Sequence, residues 1–173
     1  MSHPFRIVLF SVLAMAPVAA VAQEERPTAK IVEYGRYKAD WESLAPAPNI
    51  SGGVEVRTGK PRHKETTKVI PARVGENFGF RVEFQNLPKN RKLVVKDVMS
   101  HPEILQPDGK IIKEAVRETT LRFDKKKRPD ATYLWSFLEG YEYELVPGKW
   151  TRTIYIDGRE VASMSFDVVW PEE

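Results

Sequence analysis

The stretch PGKWTRTIYIDGREVASMSF, residues 147–166, has the pattern of two β-strands folded around an Asp157-Gly158 pair. Side chains on a strand alternate between the two faces of a sheet, so the register of the two strands decides which apolar residues are buried together. A two-residue turn would place Trp150 and Phe166 on opposite faces. A three-residue loop that ends at Gly158, with this glycine left-handed in a β-bulge, places them on the same face.

The burial of apolar side chains decides between these two turns. Each large apolar side chain contributes roughly 1.5–3 kcal/mol when it is buried, which outweighs the difference between turn types. We therefore expect the bulged hairpin, with a positive φ at Gly158. The buried face then carries Trp150, Ile154, Ala162, Met164, Phe166 and Val168, and the exposed face carries Thr151, Thr153, Tyr155, Val161 and Ser163. No acid and base are paired on the exposed face, so the segment is predicted to serve architecture rather than chemistry.

The same alternation recurs along the chain, most clearly at Phe78, Phe80, Val82 and Phe84. Thirteen prolines and ten glycines separate short stretches rich in β-branched and aromatic residues, and no long apolar run has helical spacing. We predict an all-β, immunoglobulin-like antiparallel β-sandwich of about 7–9 strands, with a small closed barrel as the alternative. The predicted strands are 30–38, 54–58, 67–74, 78–85, 91–99, 117–123, 132–138, 149–156 and 159–170, with loops over 44–53 and 100–110.

The N-terminal segment has the layout of an export signal. Arg6 supplies the positive charge, an apolar run follows, and Ala20-Val21-Ala22 fits a cleavage site. The apolar run is shorter than the roughly 20 residues that a membrane-spanning helix needs. We therefore predict a signal peptide over 1–22, a flexible mature N-terminus over 23–29 and a single sandwich domain over 30–170. The mature protein is expected to be periplasmic or secreted, without a transmembrane anchor.

Composition and motifs argue against several classes of function. The chain has no cysteine, which excludes disulfides, a thiolate nucleophile and a cysteine-ligated zinc site. A net charge of +3 is too balanced for nucleic-acid binding. His63 and His101 lack metal-ligand spacing, and phosphate-binding loops and nucleophile elbows are absent, so we expect no catalytic residue, metal or cofactor. One enzymatic alternative stays open, a hydrolase that uses either paired carboxylates or His101, the latter acting beside Glu103 or Asp108.

Lysine and arginine cluster in three predicted loops, and these clusters are the first candidates for partner contact. Such loops attract acidic proteins and anionic envelope components, although lysines also serve simply to suppress pairing at sheet edges. A second group of candidates is aromatic: Trp41 and Tyr141 could bind a sugar ring or a peptide, whereas Tyr143 is expected to close a corner of the sandwich. The predicted contact residues are Trp41, Arg62, Lys64, Lys125, Lys126, Lys127, Arg128 and Tyr141.

A family resemblance accompanies these patterns. The segment YELVPGKWTRTIYIDGREVASMSFDVV, residues 143–169, combines a Leu-x-Pro-Gly-x-aromatic entry with a Gly-containing turn and a Phe-x-Val ending. Together with EYGRY at 33–37 and FRVEF at 80–84, it resembles bacterial exported immunoglobulin-like domains of uncharacterised function. The resemblance implies the sandwich fold and a periplasmic setting, and it carries over no catalytic residue.

These observations favour an exported, non-catalytic binding or accessory domain that associates with a periplasmic protein or an envelope component. Two alternatives belong to other classes. One is the hydrolase described above, with a site in a loop cleft, and the other is a structural envelope subunit without a discrete ligand. A cleft that brings His101 together with two acidic side chains would favour the hydrolase.

Overall fold

A computed structural model describes residues 26–46, 54–88, 91–122 and 130–172. The predicted signal peptide over 1–22 lies outside these residues. Within them the chain forms strands throughout and no α-helix, with one short 3₁₀ helix at Glu142–Glu144. The strands are β1 (Thr28–Lys38), β2 (Trp41–Pro46), β3 (Val54–Thr58), β4 (Arg62–Glu65), β5 (Val69–Pro71), β6 (Asn77–Gln85), β7 (Lys92–Leu105), β8 (Ile111–Arg122), β9 (Asp130–Ser136), β10 (Gly148–Ile156) and β11 (Arg159–Val169).

Two sheets pack face to face, which confirms the predicted β-sandwich. The first sheet has the strand order β4-β1-β6-β9 and the second has the order β5-β11-β10-β7-β8, while β2 and β3 form a separate hairpin. All pairs are antiparallel except β5 with β11, which is parallel. The second sheet is therefore mixed rather than purely antiparallel, and the strands described outnumber those predicted.

The turn between β10 and β11 differs from the predicted one. Asp157 and Gly158 both have positive φ, at 49° and 78°, as a two-residue type I′ turn requires. The positive φ at Gly158 is thus confirmed, whereas the three-residue loop is wrong. Hydrogen bonds to β7 fix the turn, because the Asp157 carboxylate accepts the backbone N–H of Val94 at 3.0 Å and pairs with Arg91 at 2.7 Å.

The predicted sharing of one face by the inner residues is nevertheless confirmed, because β11 contains a bulge. Tyr155 pairs with Glu160 and Ile154 pairs with Ala162, so Val161 is the extra residue. This bulge, three residues after Gly158, places Trp150 opposite Phe166, whereas a loop over 156–158 would have placed it opposite Met164. On the inner face Trp150, Ile154, Ala162, Phe166 and Val168 are buried, and Met164 is half-buried against the core.

Four predictions fail at sheet edges and hairpin ends. β7 runs on to Leu105 through Pro102, so the loop predicted over 100–110 is wrong for its first half; an irregularity between Ser100 and Ile104 accommodates the proline. β2 and β4 form where loops were predicted. The strand predicted over 67–74 shortens to three residues. Charged and proline-rich edge strands lack the apolar alternation on which the predictions rested.

Aromatic rings fill the centre of the sandwich. Trp150 has no exposed surface, and its ring centroid lies 5.3 Å from that of Trp135 and 5.6 Å from that of Phe137. Phe78 packs on Trp150 at 6.1 Å and on Phe166 at 5.3 Å. The alternating phenylalanines of β6 and the inner residues of β10 and β11 therefore share one core, as the sequence predicts.

The directions of the strands place Lys38 and Asp130 at opposite ends of the sandwich. In the first sheet Tyr37 pairs with Asn77 at the start of β6, and Lys38 pairs with Arg62 of β4. We call this the Lys38 end. Asp130, at the start of β9, lies at the opposite end, where it pairs with Glu83 near the end of β6. Arg122 lies at that opposite end as well. It pairs with Lys92, the first residue of β7, which follows the end of β6 closely in sequence.

Candidate functional site

A groove opens at the Lys38 end, between the end of β1, strand β4 and the loop over 72–76. Its volume is about 520 Å³, which falls within the range typical of ligand sites. Charged residues make up half of its lining. They are Lys38 and Asp40 from the end of β1, Lys64 from β4, and Arg73 and Glu76 from the loop.

A buried ion pair forms one wall of the groove. Glu76 is 4% exposed, and the guanidinium of Arg36 donates to both of its carboxylate oxygens at 2.8 Å. The third nitrogen of Arg36 donates to Glu65 of β4, also at 2.8 Å. These hydrogen bonds raise the pKa of Arg36 further above its usual value, the bond to Glu76 contributing most. The negative charge of Glu76 is therefore already compensated within the fold.

The remaining cations of the groove have weak partners or none. Arg73 reaches Glu76 at 3.3 Å and its side chain is 55% exposed. Lys38, Arg62 and Lys64 are exposed and form no ion pair with any residue that the structure describes. Asp40 is an exposed carboxylate at the same groove. The groove thus presents positive charge that the protein itself does not neutralise.

The structure describes only some of the predicted contact residues. Arg62 and Lys64 lie together on β4, at the edge of the first sheet. The segment with Lys125, Lys126, Lys127 and Arg128 is outside the described residues, and the residues flanking it, Arg122 and Asp130, lie at the end opposite the groove.

The predicted aromatic contacts are only partly described. Tyr141 is half-buried, with its ring centroid 5.9 Å from that of Tyr143. Trp41 begins β2, but its side chain lies outside the described part of the chain. Tyr143 packs against the core, and its hydroxyl forms no hydrogen bond with a described residue, so the expected corner bond is not observed.

His101 lies in the core rather than in a cleft. The residue is 7% exposed, its ring lies 4.9 Å from that of Trp150, and its Nδ1 donates to the carbonyl of Pro102 at 2.7 Å. Burial lowers the pKa of His101 below its usual value. Glu103 and Asp108 instead form surface ion pairs with neighbouring lysines. In the described ranges, no three potential ligand side chains are placed to hold a metal ion.

A buried ion pair between two neighbouring strands of the second sheet went unpredicted. Arg152 of β10 donates from Nε and Nη2 to the two carboxylate oxygens of Asp97 of β7, at 2.7 and 2.8 Å. Its guanidinium lies 5.9 Å from the ring centre of Tyr133, whose pKa burial raises to about 12. One signal was available in the sequence: Arg152 occupies an inward position between Trp150 and Ile154.

Glu144 of the 3₁₀ helix is a buried carboxyl group, 6% exposed, and burial raises its pKa to about 7. The native state therefore binds a proton that the unfolded chain, with a pKa of 4.5, has already lost. The free energy of unfolding therefore falls by up to about 3 kcal/mol as the pH rises from about 4.5 to about 7. We expect Glu144→Gln to remove this component, so that the difference in unfolding free energy between pH 5 and 8 becomes smaller; urea unfolding at both pH values measures it.

The matched control for this variant is Glu139→Gln, at an exposed carboxylate in the preceding loop. It should leave the dependence of stability on pH as in the wild type. Equal pH profiles for Glu144→Gln and the wild type would contradict the assignment.

The packed sheets define the protein as an immunoglobulin-like β-sandwich domain. The chain is similar to the solved structure of an immunoglobulin-like protein (PA1606) from Pseudomonas aeruginosa, with 21% identity, 86% of this chain and 100% of that chain covered, and a TM-score of 0.53. The chain belongs to the DUF3859 family, a domain of unknown function, whose model matches residues 25–168. The resemblance to an uncharacterised immunoglobulin-like family is therefore confirmed.

Two further comparisons add no functional argument. A weaker similarity, with a TM-score of 0.36 and 18% identity, relates 60% of this chain to 28% of the alkylpurine DNA glycosylase AlkC from Pseudomonas fluorescens, solved bound to DNA. None of the curated proteins compared with the chain matches it. Among the described residues, no helix has the length and apolar character to span a membrane.

Proposed function

We propose that this protein is an exported, non-catalytic binding domain that associates with an anionic periplasmic protein or envelope component through the groove at the Lys38 end. The observation that carries the proposal is that Lys38 and Lys64 line a concave surface, with Arg62 on the same strand as Lys64, and that none of the three forms an ion pair with a described residue. The layout of residues 1–22 as an export signal supports the periplasmic setting.

Electrostatics gives the proposal its physical basis. Unpaired cations around a concave surface attract anions and accelerate their association. Salt screens such exposed charges, since the Debye length falls from about 10 Å at 0.1 M salt to about 3 Å at 1 M. Binding through the groove should therefore weaken strongly as the salt concentration rises.

Affinity capture tests this function directly. The mature chain, beginning at Gln23, is immobilised and incubated with envelope extracts at about 0.1 M and about 1 M salt. We expect one reproducible partner at low salt that is lost at high salt. Charge reversal with Arg62→Glu and Lys64→Glu should abolish capture at low salt as well.

The control reverses two exposed charges at the opposite end of the sandwich, with Lys92→Glu and Arg122→Glu. This variant has the same net charge as the groove variant, so a non-specific charge effect would change both equally. Loss of the partner in the control alone would overturn the assignment to the groove. Recovery of no partner at either salt concentration would contradict a binding function and favour a structural envelope subunit.

A further inference from the structure

We infer that Arg73 is the side chain that recognises the partner, by binding a carboxylate of an acidic protein segment that lies in the groove between Lys38 and Lys64. The inference rests on the proposed function and adds to it the class of ligand and the recognising residue. The recognised group is the side chain of an aspartate or glutamate on a segment that is otherwise apolar or neutral.

Arg73 can bind an external carboxylate because Arg36 already compensates the charge of Glu76. The carboxylate of Glu76 is bonded at both oxygens by Arg36, at 2.8 Å each. Arg73 directs Nε and Nη2 to a single one of these oxygens, at 3.4 and 3.3 Å, which is longer than the usual range for N–H···O hydrogen bonds. Arg73 can therefore turn away without leaving a buried charge uncompensated, and its planar fork matches an incoming carboxylate.

The walls of the groove favour a carboxylate on a protein segment over a phosphate. Three cations and two carboxylates line the groove, and Arg36 compensates one of the carboxylates, so charge alone attracts a phosphate as well as a carboxylate. The preference for a protein segment comes from Val74, which is 42% exposed and supplies apolar surface beside the cations. Aliphatic side chains flanking an acidic residue would fit against this surface.

Pairing of the partner as an added strand is disfavoured at this edge. β4 has only four residues, all of them exposed, and it carries three basic side chains. Its register with β1 shifts between Arg36 and Tyr37, so that Lys64 is the extra residue. Short, charged and bulged edges resist the addition of a strand. Recognition is therefore assigned to side chains.

Peptide titration tests the inference with the full mature protein. The probe is a blocked peptide of alternating glutamate and valine, and its counterpart replaces each glutamate with glutamine. We expect Arg73→Gln to weaken binding of the glutamate peptide by about tenfold, as loss of one charge-assisted hydrogen-bonded contact does. Asp40→Asn should tighten binding by a few-fold, because it removes a negative charge from the groove.

The matched control is Lys96→Gln, which removes one positive charge from the exposed side of β7, in the other sheet. It should bind like the wild type. Equal affinity for the two peptides, unchanged affinity in Arg73→Gln, or displacement of the glutamate peptide by an equal concentration of inorganic phosphate would each overturn the inference.

The experiments distinguish a failure of this inference from a failure of the proposed function. If the captured envelope partner is lost when Arg62 and Lys64 are reversed but is retained by Arg73→Gln, the function stands and the recognising residue is wrong. If the glutamate peptide binds in the predicted way but no envelope partner is captured, the carboxylate site stands and the proposed association fails.

Discussion

Replacement of Asp97 with alanine is expected to lower the free energy of unfolding by about 3–5 kcal/mol, the usual cost of leaving a buried ion without its partner. Asp97 is 6% exposed and Arg152 is 8% exposed, so water cannot replace the missing carboxylate without opening the core. The guanidinium already has one nitrogen, Nη1, without a hydrogen-bond partner among the described residues. Urea unfolding at neutral pH measures the change.

Two further variants make this prediction specific. Asp97→Leu combined with Arg152→Met removes both charges and fills the space with apolar atoms, and it should recover most of the lost stability. Glu103→Ala breaks an exposed pair with Lys113 and should cost less than about 1 kcal/mol. A double variant as unstable as Asp97→Ala would show that the loss arises from packing rather than from the unpaired charge.

Replacement of Trp150 with alanine is expected to cost about 3–5 kcal/mol, or to prevent folding. The ring has no exposed surface and contacts aromatic rings from three other strands or loops, and its Nε1 donates to the carbonyl of Val146 at 2.9 Å. Alanine would leave a large cavity at the centre of the core and free this carbonyl. Thermal and urea unfolding followed by circular dichroism measure the loss.

Trp170→Ala is the matched control, because Trp170 is 62% exposed and lies beyond the end of β11. It should change stability by less than about 0.5 kcal/mol. Trp150→Phe keeps most of the apolar volume, so it should fold and lose less than Trp150→Ala, which keeps the prediction testable if alanine is not tolerated. Equal losses for Trp150→Phe and Trp170→Ala would contradict the central role of Trp150.

The sequence predicts the sandwich because the alternation of apolar and polar residues is visible within each strand alone. In β6 the phenylalanines at every second position identify the buried face without reference to any other strand, and the inner face of the final hairpin follows in the same way. The type of turn at Asp157 was predicted wrongly because a bulge in the loop and a bulge in β11 place the same residues on the inner face. Only the positions of the hydrogen bonds distinguish them.

Edge strands and strand ends mark a second limit of the sequence. β4 and the extension of β7 through Pro102 carry charged residues and proline, whose own preferences oppose a strand. They adopt extended structure because β1 and β8 supply paired backbone groups beside them. Their pairing is a property of neighbouring strands, which local patterns cannot report.

The candidate site also combines residues that the sequence predicted with ion pairs that only the structure shows. Arg62 and Lys64 were predicted as contact residues from local charge; Lys64 lines the groove, and Arg62 lies on the same strand. Arg36 and Glu76 are 40 residues apart in sequence, and Asp97 and Arg152 are 55 apart. By itself the sequence determined the faces of the strands, because alternation fixes the direction of each side chain. Only the tertiary structure decided which charges are paired inside the protein and which stay available at its surface, because that depends on distances between residues far apart along the chain.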